Sequence, residues 1–262
     1  MNTALVELFC TPPTTSLTGF DQKVLSGAKR SVVPFEDQQL SCYSWGEGKT
    51  VLLVHGWGSR ASHMALLGRS LARAGFRAIG FDAPAHSSVD PDRAKPTSNM
   101  FEYCRAIATV LREIAPVHAV VGHSLGAIAS VYAPAGIRGD AREDAGVGRV
   151  VLVSTPPSVE HVVRAFCRRN GLDTARFREL RASLEESFQF SIDAFDLRAT
   201  LAETDERTLI VHDRDDEEFP YSEAHSLVAA RPGIEMFESQ GCGHEQILFS
   251  RRVHARIVQF LE

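Results

Sequence analysis

The stretch AVVGHSLGAIAS, Ala119 to Ser130, decides the fold. A short β-branched run meets Gly122-His123-Ser124-Leu125-Gly126 and passes without a spacer into a segment of helix formers. Between strand and helix, G-x-S-x-G reads as a nucleophile elbow. The turn is so tight that small residues must flank the serine, and its hydroxyl is left exposed at the edge of a sheet. The competing reading is a serine that merely caps a helix.

Working outward, TVLLVHG, FRAIGFD, GRVVLVS and RTLIVHD share the near-continuous Val, Ile and Leu content of strands buried on both faces of a parallel sheet. Stretches of helical period follow, at about residues 61–74, 98–115, 124–135, 158–190 in pieces, and 221–230. Upstream, SVVPFEDQQLSCYSWGEG alternates and turns at Glu36-Asp37, as a hairpin does. GIEMFES predicts a last strand and EQILFSRRVHARIVQFLE a terminal helix. The expectation is an α/β class chain: a mostly parallel sheet of about eight strands, helices on both faces, one domain over residues 1–262. About 50 residues separate VVLVSTPP from RTLIVH, where a crossover needs about a dozen. The surplus is helical in pattern and carries Phe166, Phe177, Phe188, Phe190 and Phe195, so a small helical cap is expected at about 157–200.

A serine hydroxyl needs a base, and the base needs an orienting acid. Both must come from loops at the same sheet edge, after the serine, with the acid before the histidine. His161 and His225 fall in helical stretches, His254 lies inside the terminal helix, and His212 closes a strand. His244, in the glycine-flanked turn SQGCGHEQIL, is left as the base. Two backbone N–H groups must face the developing oxyanion, and those of Leu125 and Trp57 are the candidates. The acid lies in VHDRDDEEFP, Val211 to Pro220. A calcium loop is excluded there, because the sixth and twelfth positions counted from Asp213 hold Glu218 and Ala224 instead of Gly and Glu. Residue physics alone does not separate Asp213, Asp215 and Asp216.

The HGWG turn after the first parallel strand, the GFDAPAHSS loop, the GHSLG elbow, VHDRDDEEFP and GCGHEQIL, in this order, resemble the α/β-hydrolase superfamily over nearly all the chain beyond about residue 30. That resemblance implies an α/β-hydrolase fold and a serine hydrolase working through an acyl-enzyme on esters or thioesters, with no metal or organic cofactor. Its H-G-x-x-D-x-x-V-P pattern aligns Asp216 with the family's acid. Its D-x-P-G-H-G-x-S loop is matched by Asp82-Ala83-Pro84-Ala85-His86-Ser87-Ser88, which lacks both glycines. Carbon–carbon bond hydrolysis, acyl transfer and non-catalytic ligand binding are the alternatives on the same residues. Trp57, Met64, Phe166 and Phe188 are expected to line an apolar pocket for a small or medium acyl substrate.

The bulk numbers agree with a small-molecule partner. A net charge of -5, with 44% hydrophobic and 23% charged residues, belongs to an ordinary globule and gives neither nucleic acid nor an anionic membrane a basic surface to bind. RAFCRRNG, the densest basic stretch, is short and interleaved with apolar residues. Five scattered cysteines form no CxxC pair, and MNTALVELFCTPPTT has no basic n-region, so a reducing cytoplasm is expected. A monomer or homodimer is the expected state.

Overall fold

The structure, a computed structural model, describes residues 2–13, 16–86, 95–135 and 146–262. Two short helices, α1 (Thr3–Cys10) and α2 (Gly19–Leu25), precede the hairpin β1 (Lys29–Phe35) and β2 (Gln38–Trp45). There follow β3 (Lys49–Val54), α3 (Ala61–Arg73), β4 (Phe76–Phe81), α4 (Met100–Ile114), β5 (Ala119–His123), α5 (Leu125–Ala135) and β6 (Arg149–Val153). The long connection holds α6 (Val159–Arg169), α7 (Thr174–Phe188) and α8 (Leu197–Glu203). The chain closes with β7 (Arg207–Asp213), α9 (Tyr221–Val228), β8 (Glu235–Ser239), α10 (Gly243–Gln246) and α11 (Arg251–Leu261).

Eight strands form one sheet in the order β1-β2-β4-β3-β5-β6-β7-β8. The hairpin turns at Glu36-Asp37 and joins β4 antiparallel, while every pairing from β4 to β8 is parallel. The α/β expectation therefore holds. Because side chains alternate across a strand, each central strand feeds two cores. Leu52, Val54, Val120, Leu152 and Ile210 pack with α4 and α5 on one face. Val51, Leu53, Val121, Val151 and Val211 pack with α3 and α11 on the other. Both faces being covered accounts for the unbroken apolar runs in the sequence.

Three elements differ from expectation. The N-terminal segment, given no structure by the sequence reading, forms α1, whose Asn2 caps it through the Leu5 amide and fastens it to α7 through Ser183 and Glu179. The terminal helix is broken into α10, a 3₁₀ turn at Ile247–Phe249 and α11, because Ser250 is extended (ψ 119°) while Ile247 and Leu248 turn into the core. The Asp82 loop makes its turn without the first glycine: His86 N–H bonds the Ala83 carbonyl at 3.0 Å, and Ala85 takes a left-handed φ of 64°. Ser87 and Ser88 lie outside the described residues.

Helix α5 approaches the end of β3 so closely that a Cβ on Gly126 would stand 2.2 Å from the His55 carbonyl oxygen and 2.9 Å from that of Val54. Both neighbours are backbone, so neither can swing aside. Gly126→Ala is expected to cost about 3 kcal/mol or more by overpacking, read from urea unfolding. Gly19→Ala, where a Cβ meets nothing within 4 Å, is expected to leave stability within about 1 kcal/mol of the parent. Equal effects of the two would show that the approach of α5 to β3 is not tight.

Candidate functional site

The elbow forms as the sequence requires. Ser124, between β5 and α5, has a φ of 54° and gives its N–H to the Val153 carbonyl at 2.9 Å, which ties the turn to β6. A Cβ on Gly122 would lie 2.6 Å from both the Ala127 Cα and the Gly126 oxygen, so both flanking positions must be glycine for steric reasons. A non-glycine residue at positive φ costs about 1–2 kcal/mol, and the surrounding strand and helix hold it in place. Strain held at a single residue is common at functional sites.

His244 and Asp216 meet this serine. The His244 Nε2 lies 3.0 Å from Ser124 Oγ, and its Nδ1 lies 2.8 Å from Asp216 Oδ2. The ionised carboxylate only accepts, so Nδ1 carries the hydrogen and Nε2 turns its lone pair to the serine. Asp216 Oδ1 accepts the amides of Glu218 and Phe219, both at 2.9 Å. Burial pushes the Asp216 carboxyl up, but the bond to His244, that residue's charge and the Phe219 amide outweigh it and hold the group below its ordinary value.

The other two aspartates of the loop are occupied elsewhere. Asp213, fully buried, accepts from Ser239 Oγ at 2.6 Å and from the amides of Asp215, Cys242 and Gly243 at 3.0, 3.2 and 3.1 Å. It thus fixes the turn that carries His244. Asp215 is exposed and accepts the Gly241 amide at 2.9 Å. His212 donates Nε2–H to the Phe219 carbonyl at 2.8 Å, which pins the far end of the acidic loop.

His123, inside the elbow, was not singled out from sequence. Its Nε2 donates to the His244 carbonyl at 2.9 Å, and its ring lies against that of His244 with centroids 5.0 Å apart. Burial, with the neighbouring His244, drives its imidazole down to about 3, so it remains neutral.

Opposite the elbow, Gly56 to Ser59 form a turn closed by the Ser59 N–H at 3.2 Å, which leaves the Trp57 N–H outside the turn's own bond. Leu125 is the first residue of α5, where an N–H has no partner within the helix. His55 holds the turn: its Nε2 accepts the Ala83 amide at 3.0 Å, its Nδ1 donates to the Gly56 carbonyl at 2.7 Å, and its carbonyl accepts Tyr103 Oη–H at 2.6 Å. The turn comes near enough that a Cβ on Gly56 would touch Ser124 Cβ at 3.0 Å.

A cavity of about 240 Å³ opens over Ser124 and His244. Trp57, Leu125 and Phe166 line it, as expected, and Phe9, Phe219 and Phe249 add apolar wall. Two expected pocket residues are elsewhere. Met64 is fully buried in the core beneath α3, because it lies on the helix face that packs on the sheet. Phe188 lines a separate, smaller cavity. Phe9 was missed because α1 is a two-turn helix with too short an apolar pattern to read. The polar wall includes Glu218, whose carboxylate pairs with Arg169 at 3.0 Å and comes within 3.8 Å of His244 Nε2.

The sheet order, the elbow and the hydrogen-bonded Ser, His and Asp invite comparison with known proteins. Residues 51–256 match the model of the alpha/beta hydrolase family. The chain belongs to this family. No curated protein matches it. Among solved structures, an esterase of Pyrococcus furiosus superposes with a TM-score of 0.69 at 17% identity, over 96% of this chain and 96% of its own. An esterase of Exiguobacterium antarcticum gives 0.65 at 17%, covering 88% and 98%. The thioesterase domain of the curacin biosynthetic pathway gives 0.63 at 15%, covering 89% and 99%. At these identities the likeness is one of fold. Among the described residues no helix is long and apolar enough to cross a membrane, and no group of three or more His, Cys, Asp or Glu could hold a metal ion.

The bonding of Asp213 has a consequence for stability. Burial pushes its carboxyl up, but the four hydrogen bonds pull it below its ordinary value. A carboxyl lowered by folding stabilises the native state fully above its unfolded value of about 3.9 and loses that contribution as the pH falls through the folded value. Asp213→Ala, which leaves its buried donors unpaired, is expected to cost about 3 kcal/mol at pH 7, and the difference from the parent should shrink as unfolding is followed down from pH 5. A constant difference across that range would show that the carboxylate charge is not what holds the turn.

Proposed function

We propose that this chain is a serine hydrolase that cleaves a carboxylic ester or thioester of a small to medium apolar acyl group. The single observation that carries the reading is the unbroken chain from Ser124 Oγ through His244 to a buried, ionised Asp216. Ser124 attacks the substrate carbonyl while His244 Nε2 takes its proton, and Asp216 holds the imidazole in the working tautomer and offsets its positive charge. The tetrahedral oxyanion is met by the N–H groups of Trp57 and Leu125. His244 returns its proton to the leaving alcohol or thiol, and the acyl group remains on Ser124. Water, deprotonated by His244, attacks that ester and releases the acid.

The helices α6 to α8, with the turn between α7 and α8, act in this reading as a cap over the single domain. Its α6 supplies Val162 and Phe166 to the cavity wall. The solved esterases and the thioesterase domain of like fold support ester and thioester bonds as the first to test. The apolar cavity supports a small organic substrate.

A fluorophosphonate probe is expected to label the protein, and Ser124→Ala to abolish the label. In a panel of p-nitrophenyl esters and acyl thioesters, Ser124→Ala and His244→Ala should lower kcat by at least about a thousandfold. Asp216→Asn, which no longer selects the tautomer, should lower it by about the same order. Equal labelling of parent and Ser124→Ala would sink the assignment.

A further inference from the structure

Beyond the main cavity lies a second one of about 40 Å³, whose walls expose only apolar atoms. The two share Phe9, Asn99, Met100 and Val159 as a common wall. Behind that wall Phe101 stands against Phe188, Phe190 and Phe195, with ring centroids 5.8, 5.2 and 5.4 Å away. The cage is built from four separate parts of the chain: α1, the start of α4, the first residue of α6, and the residues from Leu184 in α7 to Phe195. Nothing in the catalytic scheme above uses it.

We infer that this phenylalanine cage is a second compartment of the substrate site, which takes the distal end of a linear alkyl or alkenyl acyl chain whose carbonyl is at Ser124. The inference rests on the ester or thioester reading above. Three observations carry it. The cavity adjoins the main one across only a few side chains. Asn99 lines it, but the Asn99 Oδ1 accepts the Glu102 amide and no polar atom faces the cavity, so a hydrocarbon gains most by entering. Its partition includes Met100, an unbranched side chain with three rotatable bonds that can swing without backbone movement. A void that holds a water needs about 10–15 Å³, so this one accommodates roughly three methylene-sized groups. Each buried methylene is worth about fourfold in affinity.

The experiment uses straight-chain p-nitrophenyl esters from acetate to dodecanoate with the parent, Leu184→Phe, which fills the cage from a position outside the main cavity, and Phe188→Ala, which enlarges it. The ratio of long-chain to short-chain kcat/KM is expected to fall about tenfold in Leu184→Phe, and the preferred length to move upward in Phe188→Ala. One unchanged length profile in all three proteins overturns the compartment; if Leu184→Phe does not fold, an unmoved optimum in Phe188→Ala does so alone. A binding series separates this inference from the catalytic reading. Straight-chain methyl ketones are titrated calorimetrically into Ser124→Ala with and without Leu184→Phe. A length-dependent gain that Leu184→Phe removes supports the compartment even if the parent turns over no ester, in which case only the catalytic reading fails. A gain that levels off at the same length in both proteins overturns the compartment and leaves the catalytic reading standing.

Discussion

The contact between Gly126 and the carbonyl of His55 is the constraint from which the site follows. It seats the first turn of α5 directly on the end of β3, leaving no room for any side chain between them. With helix and strand that close, the residue between β5 and α5 has to turn through a left-handed conformation, and Ser124 does so at φ 54°. The same approach brings the Gly56–Ser59 turn to the serine, because that turn is the direct continuation of β3. Thus one steric requirement brings Ser124, Trp57 and Leu125 to the same edge, where all three line the cavity. The left-handed serine is unfavourable by itself, but it is imposed by two elements whose apolar faces are wholly buried, and burial of several such side chains far exceeds about 2 kcal/mol.

The second half of the site depends on a division of labour within one acidic loop. Asp216 turns toward His244, while Asp213 turns the other way and gathers the backbone of the histidine's own turn. Both carboxylates are buried, and each is held ionised by donors rather than by a cation alone. Asp213 therefore sets where His244 begins, Asp216 sets how its ring is rotated, and His123 sets the depth of its carbonyl. A histidine on a glycine-flanked turn would otherwise sample many rotamers, and these contacts hold the one whose Nε2 lies 3.0 Å from Ser124 Oγ.

The sheet and the elbow were legible because they rest on short-range physics. Runs such as VLLV are apolar at both alternate positions, which only a strand covered on both faces tolerates, and G-x-S-x-G registers a close packing that local composition reveals. His244 was legible by topology, since its rivals sit in helices or close a strand. The choice among Asp213, Asp215 and Asp216 was not legible from residue physics, because all three are short carboxylates within four positions and their roles differ only by which donors the folded turns present. Family resemblance pointed to Asp216, and the structure bonds that residue to His244. The pocket was the least legible part. Met64 and Phe188 are apolar residues near the site in sequence order, yet the rotation of α3 sends one into the core and the end of α7 sends the other behind a partition.

That difference in legibility has a structural reason. Ser124, Asp216 and His244 hang from turns at the sheet edge, where each strand's register fixes position to within a residue. Part of the cavity wall comes from segments outside the sheet: α1, α6, the start of α4, and the turn before α11. Each is held by anchors of its own. Asn2 binds α1 to α7, Phe9 meets Phe166 edge to face at 5.2 Å, and the amide of Leu197, the first residue of α8, bonds the carbonyl of Pro157 at 2.8 Å. These anchors touch neither Asp213 nor the elbow, whereas Glu218 and Phe219, whose amides hold Asp216, are themselves cavity wall. The walls from α1 and the start of α4 are therefore set apart from the Ser124–His244–Asp216 chain, and in the reading proposed above they, more than those three side chains, select the acyl group.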